Sequence, residues 1–278
     1  MPEPLPFSIV ILTLNEALRL PAFLASVAGC DDIVVVDSGS TDATQAIARA
    51  AGARVVENRF VTFADQRNFA HAAGEFRHPW VFHLDADELM TPELLAECAR
   101  VTREDPPCDG FYAAPHMMFH GRWLRHCTDY PAWQARLVNI RRFFFVQVGH
   151  GQREAPGLRM NYLQAGYLHD ISVGSLAEWE TKHRRYAREE AEQVLRVSTG
   201  WRRLMGQALT GSGLERRRAL KHLSYYLPAR PLFRFVYQYL LRGGFLDGAG
   251  AYRYCRLMAR YEGFTTAELK RQRATRHV

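Results

Sequence analysis

Four short apolar runs alternate with helical patterns over the first hundred residues, and this alternation constrains the fold more than any other feature. The runs are Phe7–Leu14, Asp32–Asp37, Arg54–Glu57 and Trp80–Leu84. Short, β-branched runs bounded by turn residues are typical of strands buried on both faces. The order therefore predicts an α/β fold whose parallel sheet is covered by helices on both sides.

Helical spacing of apolar residues and start signals place the helices between these strands. Ser40 or Thr41 is the expected N-cap of the second helix, and Thr91 followed by Pro92 is a strong start signal for the fourth. The predicted helices are Leu18–Val27, Asp42–Ala51, Ala64–Ala73 and Pro92 to about Arg103.

The pattern changes after Pro106-Pro107, where aromatic and turn residues replace helical periodicity. Short strands are predicted near 109–117, 134–140, 143–149 and 165–170. A long charged helix is predicted at Ser175–Val197, and three or four further helices fill the remainder.

Charge is distributed unevenly along the 278 residues, whose net charge is +7. Residues 201–278 carry 16 Lys/Arg and 4 Asp/Glu, a net charge of +12, whereas residues 1–200 carry 20 and 25, a net charge of −5. A basic C-terminal region indicates an anionic partner such as a membrane surface, a nucleic acid or a phosphorylated acceptor. The alternative is an ordinary solvated helical surface.

One C-terminal helix, beginning near Pro231, has two distinct faces. It either lies in a membrane interface or packs on the protein's own core. Its apolar residues are Leu232, Phe233, Val236, Tyr237, Leu240 and Leu241, and its polar row is Arg234, Gln238 and Arg242.

The cysteines and the N-terminus indicate the compartment. Five cysteines occur without a CxxC pair, which favours a reducing environment. Residues 1–6 have no basic region, so no signal peptide is expected, and no apolar stretch is long enough to span a membrane. We expect a cytoplasmic protein, either free or peripheral on the inner face of the plasma membrane.

Polar side chains follow each of the four predicted strands, and the carboxyl ends of parallel strands form the ligand crevice of an open α/β sheet. Asp85 and Asp87 end the fourth strand, and such neighbouring carboxylates repel each other unless a divalent cation or a ligand compensates. Asp37 can accept from a nucleobase or a ribose, and Arg67 adds positive charge for phosphates. The pattern suits a nucleoside diphosphate whose departure is assisted by Mg²⁺ or Mn²⁺.

Four ordered motifs resemble those of family 2 inverting glycosyltransferases of the GT-A fold. They are residues 9–16 (IVILTLNE), 33–42 (IVVVDSGSTD), 66–70 (QRNFA) and 84–88 (LDADE, a DxD motif). Residues 169–187 and 239–248 are similar to the lipopolysaccharide core β-glucosyltransferase branch.

The resemblance implies a Rossmann-like mixed sheet with a parallel N-terminal half, followed by a helical C-terminal region. The GT-A domain would span 1–172, with a nucleotide-sugar half at 1–105 and an acceptor and catalytic half at 106–172. Residues 173–278 would be the helical extension. The implied activity is metal-dependent transfer of a sugar, from a UDP-sugar by resemblance, to a hydroxyl of a lipid-linked or cell-envelope glycan. No nucleic-acid partner is expected.

The resemblance also assigns roles to individual residues. Asp85 and Asp87 would hold the metal, and His169 is either a further ligand or a packing residue. The residues expected to bind the nucleotide-sugar are Thr13, Asn15, Glu16, Asp37, Ser38, Ser40, Gln66, Arg67, Asn68, Asp85 and Arg136.

The catalytic base is less clearly marked. Inversion needs a group that takes the proton of the acceptor hydroxyl. Members of this branch often carry a His-Glu pair, but here His150 is followed by Gly151, and the nearest acid is Glu154. Glu154 is the first candidate, followed by His150 and Asp129.

Two other functions fit part of the sequence. A non-catalytic protein could keep the donor pocket and lack the base. A nucleotide-dependent oxidoreductase could use Asp37 for the ribose, but the first strand is not followed by G-x-G-x-x-G.

Overall fold

The computed structural model describes residues 4–148, 151–196, 201–210, 212–227 and 229–276. The chain divides into two compact units. The first unit contains residues up to 117 together with 130–170, and the second contains 118–129 together with the residues from 171 onward. The domains expected from the sequence, 1–172 and 173–278, stay a prediction.

The N-terminal half of the first unit is the parallel α/β arrangement expected from the alternating pattern. Strands β1 (Ser8–Thr13), β2 (Ile33–Asp37), β3 (Arg54–Glu57) and β4 (Trp80–Asp85) pair in parallel in the order β4-β1-β2-β3. Their carboxyl ends therefore share one edge of the sheet.

Three more strands extend this sheet on the side of β4. Strand β9 (Gln134–Asn139) runs antiparallel to β4 and to β6 (Gly110–Ala113), and β12 (Met160–Tyr162) pairs in parallel with β6. The seven-stranded order is β12-β6-β9-β4-β1-β2-β3. The expectation of a mixed sheet with a parallel N-terminal half is confirmed.

The remaining strands are short. Strands β5 (Glu88–Leu89) and β13 (Tyr167–Asp170) pair antiparallel, as do β10 (Phe145–Val148) and β11 (Gly151–Glu154). The strand predicted over 109–117 is in fact β6 followed by a second strand, β7 (Pro115–Phe119), and β8 (Arg122–Trp123) pairs with the end of β7. The sequence pattern did not predict β5, β8, β11 or β12, because strands of two to four residues are too short to show a period.

Helices cover both faces of the parallel strands. They are α1 (Leu20–Ser26), α2 (Thr44–Ala50), α3 (Phe63–Ala73) and α4 (Pro92–Glu104). Ile9, Ile11 and Phe82 pack on one side, in a cluster with residues of α1 and α4, while Val10 and Val34 pack on the other against α3. This alternation explains why the strands are apolar throughout.

The helix starts follow the expected chemistry in one case and depart from it in another. Thr91 caps α4 by accepting from the backbone N–H of Leu94 at 3.1 Å. Neither Ser40 nor Thr41 caps α2, which begins later than predicted and has Ala43 at its N-cap. The carboxylate of Asp42 accepts from the N–H of Thr44 instead, at 2.9 Å.

The second unit is mainly helical, as expected. Its helices are α5 (Leu176–Arg196), α6 (Trp201–Thr210), α7 (Gly213–Ser224), α8 (Arg230–Val236) and α9 (Ala249–Arg276). A π-helical turn at Tyr237–Leu241 continues α8, and a 3₁₀ turn at Gly244–Asp247 precedes α9. No helix in the described part of the chain is long and apolar enough to cross a membrane.

The amphipathic helix near Pro231 turns its polar row inward and exposes most of its apolar face. Its polar row lies toward the second unit: Gln238 is buried and donates to the carbonyl of Cys127 at 3.0 Å, and Arg242 pairs with Asp129 at 2.9 Å. The side chains of Leu232, Phe233, Tyr237, Leu240 and Leu241 are exposed. Of the two alternatives left open by the sequence, packing on the protein's own core does not hold for these residues.

A buried carboxylate ties three segments of the first unit together. Asp32 accepts hydrogen bonds from the Ser8 hydroxyl and, at 2.7 Å, from the backbone N–H of Arg77, and it pairs with Arg54 at 2.6 Å. Asp32 is fully buried, so its loss leaves these donors without an acceptor.

We expect Asp32→Asn to lower the free energy of unfolding by about 2–3 kcal/mol, because a neutral amide accepts more weakly and leaves the Arg54 charge uncompensated. Urea unfolding measures the loss. The matched control is Asp31→Asn, which removes a half-exposed carboxylate and should cost less than about 1 kcal/mol. Equal losses in the two variants would contradict the role assigned to Asp32.

Candidate functional site

Three carboxylates gather where β4 ends. Asp85 is the last residue of β4, Asp87 lies in the following turn, and Glu88 begins β5. The backbone N–H of Asp85 donates to the Glu88 carboxylate at 2.8 Å, which closes the turn. The side chains of Asp85 and Asp87 are 33% and 37% exposed, so both reach solvent, whereas that of Glu88 is buried.

Arg136 compensates the buried carboxylate. This residue of β9 lies 2.5 Å from Glu88 and also donates to the Tyr167 hydroxyl and, at 3.1 Å, to the His83 carbonyl. Burial raises the pKa of Glu88 to about 7, although Arg136 acts in the opposite direction.

Arg67 is the second buried cation of the cluster. This α3 residue donates to Asp85 at 2.7 Å. Its Nε and Nη1 atoms are buried and have no hydrogen-bond partner among the described residues. Burial lowers the pKa of Arg67, and Asp85 opposes that effect. Because neither Arg67 nor Arg136 is exposed, both act on the carboxylates from below the surface of the site.

Asp87 and His169 form the exposed part of the cluster. Nε2 of His169 lies 3.5 Å from Asp87, and its Nδ1 lies 3.7 Å from Glu88. Burial acts to raise the pKa of Asp87, but the contact with His169 outweighs it and lowers that pKa. Burial likewise acts to lower the pKa of His169, and the two carboxylates raise it. The two carboxylates therefore favour the protonated form of His169.

Asp37 organises the loop that follows β2. It accepts from the Thr13 hydroxyl at 2.8 Å, from the Ser40 N–H at 2.7 Å and from Gln45 at 2.9 Å, and is fully buried. Burial acts to raise the pKa of Asp37, but these bonds hold it below its usual value. Gly39 has φ +94°, a conformation that disfavours side chains, so the loop needs glycine there.

The loop after β1 is held against the same segment. Asn15, at φ +57°, accepts from the backbone N–H of Thr41 at 2.8 Å, and its own N–H donates to the Ser40 hydroxyl at 2.8 Å. The N–H of Glu16 donates to Thr44, while its carboxylate pairs with Arg19 at 3.1 Å. The structure thus brings the predicted residues of the first two loops together.

Two amides of α3 bond to backbone and neighbouring side chains. Gln66 is buried and donates to the Asn58 carbonyl at 2.9 Å and to the Ser38 hydroxyl at 3.1 Å. Asn68 makes two 2.9 Å bonds to the backbone of Phe145. Asn68 therefore joins α3 to β10.

The candidate bases lie in different places. Glu154, in β11, is half-buried and accepts from the Tyr112 hydroxyl at 2.6 Å. Asp129 belongs to the second unit, where it is largely exposed and paired with Arg242. His150 lies outside the described residues.

Several members of the cluster were not predicted. Glu88, to which the sequence assigned no role in the site, is buried at the start of β5. The imidazoles of His71 and His83 meet at 2.9 Å, and burial lowers the pKa of His71 to about 4. The place of Glu88 in the same acidic run as Asp85 and Asp87 was a signal that it belongs to the cluster, but nothing in the sequence pairs His71 with His83.

The donor set fits a divalent cation only in part. Asp87 presents a carboxylate and His169 a ring nitrogen, while Asp85 is engaged by Arg67. Within the described residues no group of three or more His, Cys, Asp or Glu side chains is arranged as a metal site. Mg²⁺ is nevertheless usually bound by only one or two protein carboxylates, together with oxygens from the phosphates of its substrate.

Comparison with protein families identifies the N-terminal part of the chain. The model of the family described as Glycosyl transferase family 2 matches residues 8–154, just over half of the chain. An uncharacterized glycosyltransferase of Rickettsia bellii is 38% identical over 91 residues, covering 32% of this chain and 30% of that protein. The lipopolysaccharide core biosynthesis glycosyltransferase LpsC of Rhizobium meliloti is 38% identical over 104 residues, covering 33% and 38%. The chain spans about a third of the length of these curated relatives.

Solved structures show weaker likeness. S. aureus TarS 1-349 is 16% identical, covers 91% of each chain and has a TM-score of 0.43. Glucosyl-3-phosphoglycerate synthase from Mycobacterium tuberculosis, solved with Mn²⁺, UDP-glucose and phosphoglyceric acid, is 22% identical over 41% of this chain and 44% of that one, with a TM-score of 0.33.

We expect Arg136→Met to lower the free energy of unfolding by about 3–5 kcal/mol at pH 7, since it leaves Glu88 buried without its cation. The folded-state pKa of Glu88 lies above its usual value and should rise further in the variant. A group of this kind stabilises the fold below its unfolded-state pKa and loses that contribution as the pH rises. The deficit should therefore grow from pH 5 to pH 8 in urea unfolding.

The control for this variant is the double replacement Glu88→Gln with Arg136→Met. It removes both charges, so it should be less destabilised than Arg136→Met alone and should lose the pH dependence of the deficit. A deficit that is constant with pH in the single variant would contradict the assignment.

Proposed function

Because the chain belongs to glycosyl transferase family 2, we propose that it transfers a sugar from a nucleoside-diphosphate sugar to a hydroxyl group, with inversion at the sugar carbon. The acid cluster at the end of β4 carries this proposal. Strand β4 and strand β2, which precedes the Asp37 loop, end at the same edge of one sheet. A site with both an ordered polar loop and solvent-reaching carboxylates suits a ligand that has a nucleoside at one end and phosphates at the other.

The loops after β1 and β2 are proposed to hold the nucleoside. Thr13, Ser40 and Gln45 saturate the Asp37 carboxylate, so Asp37 shapes the loop and meets a base or ribose only by exchanging one of these bonds. Asn15, Glu16 and Ser38 lie around the same loop. Uridine diphosphate is the nucleotide that the sequence resemblance favours.

The acid cluster is proposed to face the diphosphate. Asp87, with Asp85 and His169 beside it, would hold Mg²⁺ or Mn²⁺, and the bound cation would neutralise the leaving diphosphate. Arg67 and Arg136 hold Asp85 and Glu88 in place and add positive charge beneath the site. Their burial keeps this charge in a medium of low dielectric, where it acts more strongly than at the surface.

Glu154 is the proposed base. Its carboxylate is half-buried, and the Tyr112 hydroxyl donates to one oxygen, which leaves the other available to accept the proton of an acceptor hydroxyl. Phe145, directly opposite Glu154 in the β10–β11 pair, is bonded through its backbone to Asn68, the neighbour of Arg67. Glu154 is therefore connected to the donor side of the site by a short chain of contacts.

The acceptor is proposed to be a glycan or a lipid-linked sugar of the cell envelope. The similarity to LpsC, a lipopolysaccharide core biosynthesis glycosyltransferase, supports this class of acceptor. A lipid-linked acceptor would require the protein to work at the inner face of the plasma membrane.

We further propose that the second unit contacts an anionic membrane through the exposed side of α8 and the π-helical turn. Leu232, Phe233, Tyr237, Leu240 and Leu241 are between 47% and 76% exposed. Gln238 and Arg242 of the polar row are occupied by internal contacts, so the apolar face is the one presented outward. The net charge of +12 over residues 201–278 favours anionic lipid.

We expect Asp87→Ala to abolish the thermal stabilisation that UDP and Mn²⁺ give together, and to lower sugar transfer more than about 100-fold, while the unliganded protein melts normally. A panel of nucleotide-sugars with and without Mn²⁺, read by thermal shift, makes the measurement. Unchanged stabilisation by UDP and Mn²⁺ would remove Asp87 from the metal site.

Glu154→Gln is the complementary variant. It should keep the stabilisation by UDP and Mn²⁺ and lose transfer, because only the proton acceptor is changed. If the wild type binds donor but transfers no sugar to any envelope glycan, the non-catalytic alternative is favoured instead.

We expect Leu240→Ser with Leu241→Ser to weaken co-sedimentation with phosphatidylglycerol vesicles about tenfold or more, since burying one leucine side chain contributes about 1.5–3 kcal/mol. The control is Leu18→Ser, which changes a fully exposed leucine of the first unit and should leave sedimentation unchanged. Equal sedimentation of both variants and the wild type would contradict the membrane contact.

A further inference from the structure

Three aromatic side chains lie together beside Glu154. The rings of Tyr112 and Tyr162 are 5.1 Å apart, and the ring of Trp133 meets that of Tyr162 edge-on at 4.9 Å. Trp133 and Tyr162 are 41% and 54% exposed. We call these three residues the aromatic platform.

The sheet explains why the platform lies there. Tyr162 in β12 pairs directly with Tyr112 in β6, and Ala113 pairs with Gln134, the first residue of β9 after Trp133. Strand β6 runs parallel to β4, so the platform lies at the edge where β4 ends in Asp85. Neighbouring strands are about 4.8 Å apart, which places the platform roughly one to three strand spacings from Asp85.

The platform combines two chemistries that a sugar ring requires. The planes of the Trp133 and Tyr162 rings lie at 75° to each other, so one exposed ring face can cover the C–H groups of one face of a pyranose while the other ring borders the edge of the sugar. The Tyr112 hydroxyl and the Glu154 carboxylate, 2.6 Å apart, offer a hydrogen-bonding pair at its border. Exposed tryptophan and tyrosine at a sheet edge, next to a half-buried carboxylate, are more than core packing requires.

We propose that the aromatic platform is the acceptor subsite and that its ligand is a hexopyranose ring of the acceptor glycan. One of the two exposed rings, Trp133 or Tyr162, stacks on a face of the pyranose and the other contacts its edge, and Tyr112 orients Glu154 toward one of the sugar hydroxyls. Only the identification of the bound sugar as the acceptor rests on the proposed function. A pyranose would bind the platform whether or not transfer follows.

Saturation-transfer NMR of the full chain with methyl glucoside, methyl galactoside and methyl mannoside tests the subsite directly. We expect saturation of ring C–H protons from at least one glycoside in the wild type. Trp133→Ala and Tyr162→Ala should reduce it at least fivefold, and Trp133→Phe should retain most of it, because a ring remains. The control is Phe144→Ala, which removes an aromatic ring of similar exposure (55%) and should leave the signal unchanged.

Stabilisation by UDP and Mn²⁺, measured on the same variants, separates this proposal from the proposed function. It should be unaffected by Trp133→Ala. No saturation of any glycoside, or equal saturation in Trp133→Ala, overturns the platform even if the donor binds. Saturation of UMP that depends on Trp133 also overturns it, because the platform would then hold the nucleobase. Glycoside binding that depends on Trp133 without any donor binding upholds the platform and rejects the proposed function.

Discussion

The site depends on compensation of buried charge at the end of β4. Three carboxylates within four residues would repel one another, and Glu88 is fully buried. Arg136 reaches it only because β9 is inserted antiparallel between β4 and β6, and Arg67 reaches Asp85 from α3. The strand order of the sheet and the electrostatics of the site are therefore consequences of the same arrangement.

The Asn68 amide helps to connect the proposed donor and acceptor sides of the first unit. Asn68 bonds both backbone groups of Phe145, whose ring lies 5.9 Å from the Arg67 guanidinium. Directly opposite Phe145 in the hairpin is Glu154, which meets the aromatic platform through Tyr112. Displacing Asn68 would therefore disturb both the buried cation and the proposed base.

Amphipathic patterns identify faces but not their directions. In the helix after Pro231, the periodicity correctly separates the apolar side chains from Arg234, Gln238 and Arg242. The direction is decided by tertiary contacts of the second unit, since Gln238 bonds Cys127 and Arg242 pairs with Asp129. A close approach at Gly244 reinforces this, because a Cβ there would lie 2.6 Å from the carbonyl oxygen of Gln238.

The sequence alone determined the parallel core, because continuous apolar runs leave few other folds, and it determined which strand ends carry polar groups. The burial of Glu88, its pairing with Arg136, the meeting of His71 with His83 and the aromatic platform were decided only by the tertiary structure. Each of these features depends on residues from separate elements, which lie 12 to 50 positions apart in the sequence. Local periodicity carries no information about such pairs, because their proximity follows from strand order and register, which act over the whole sheet.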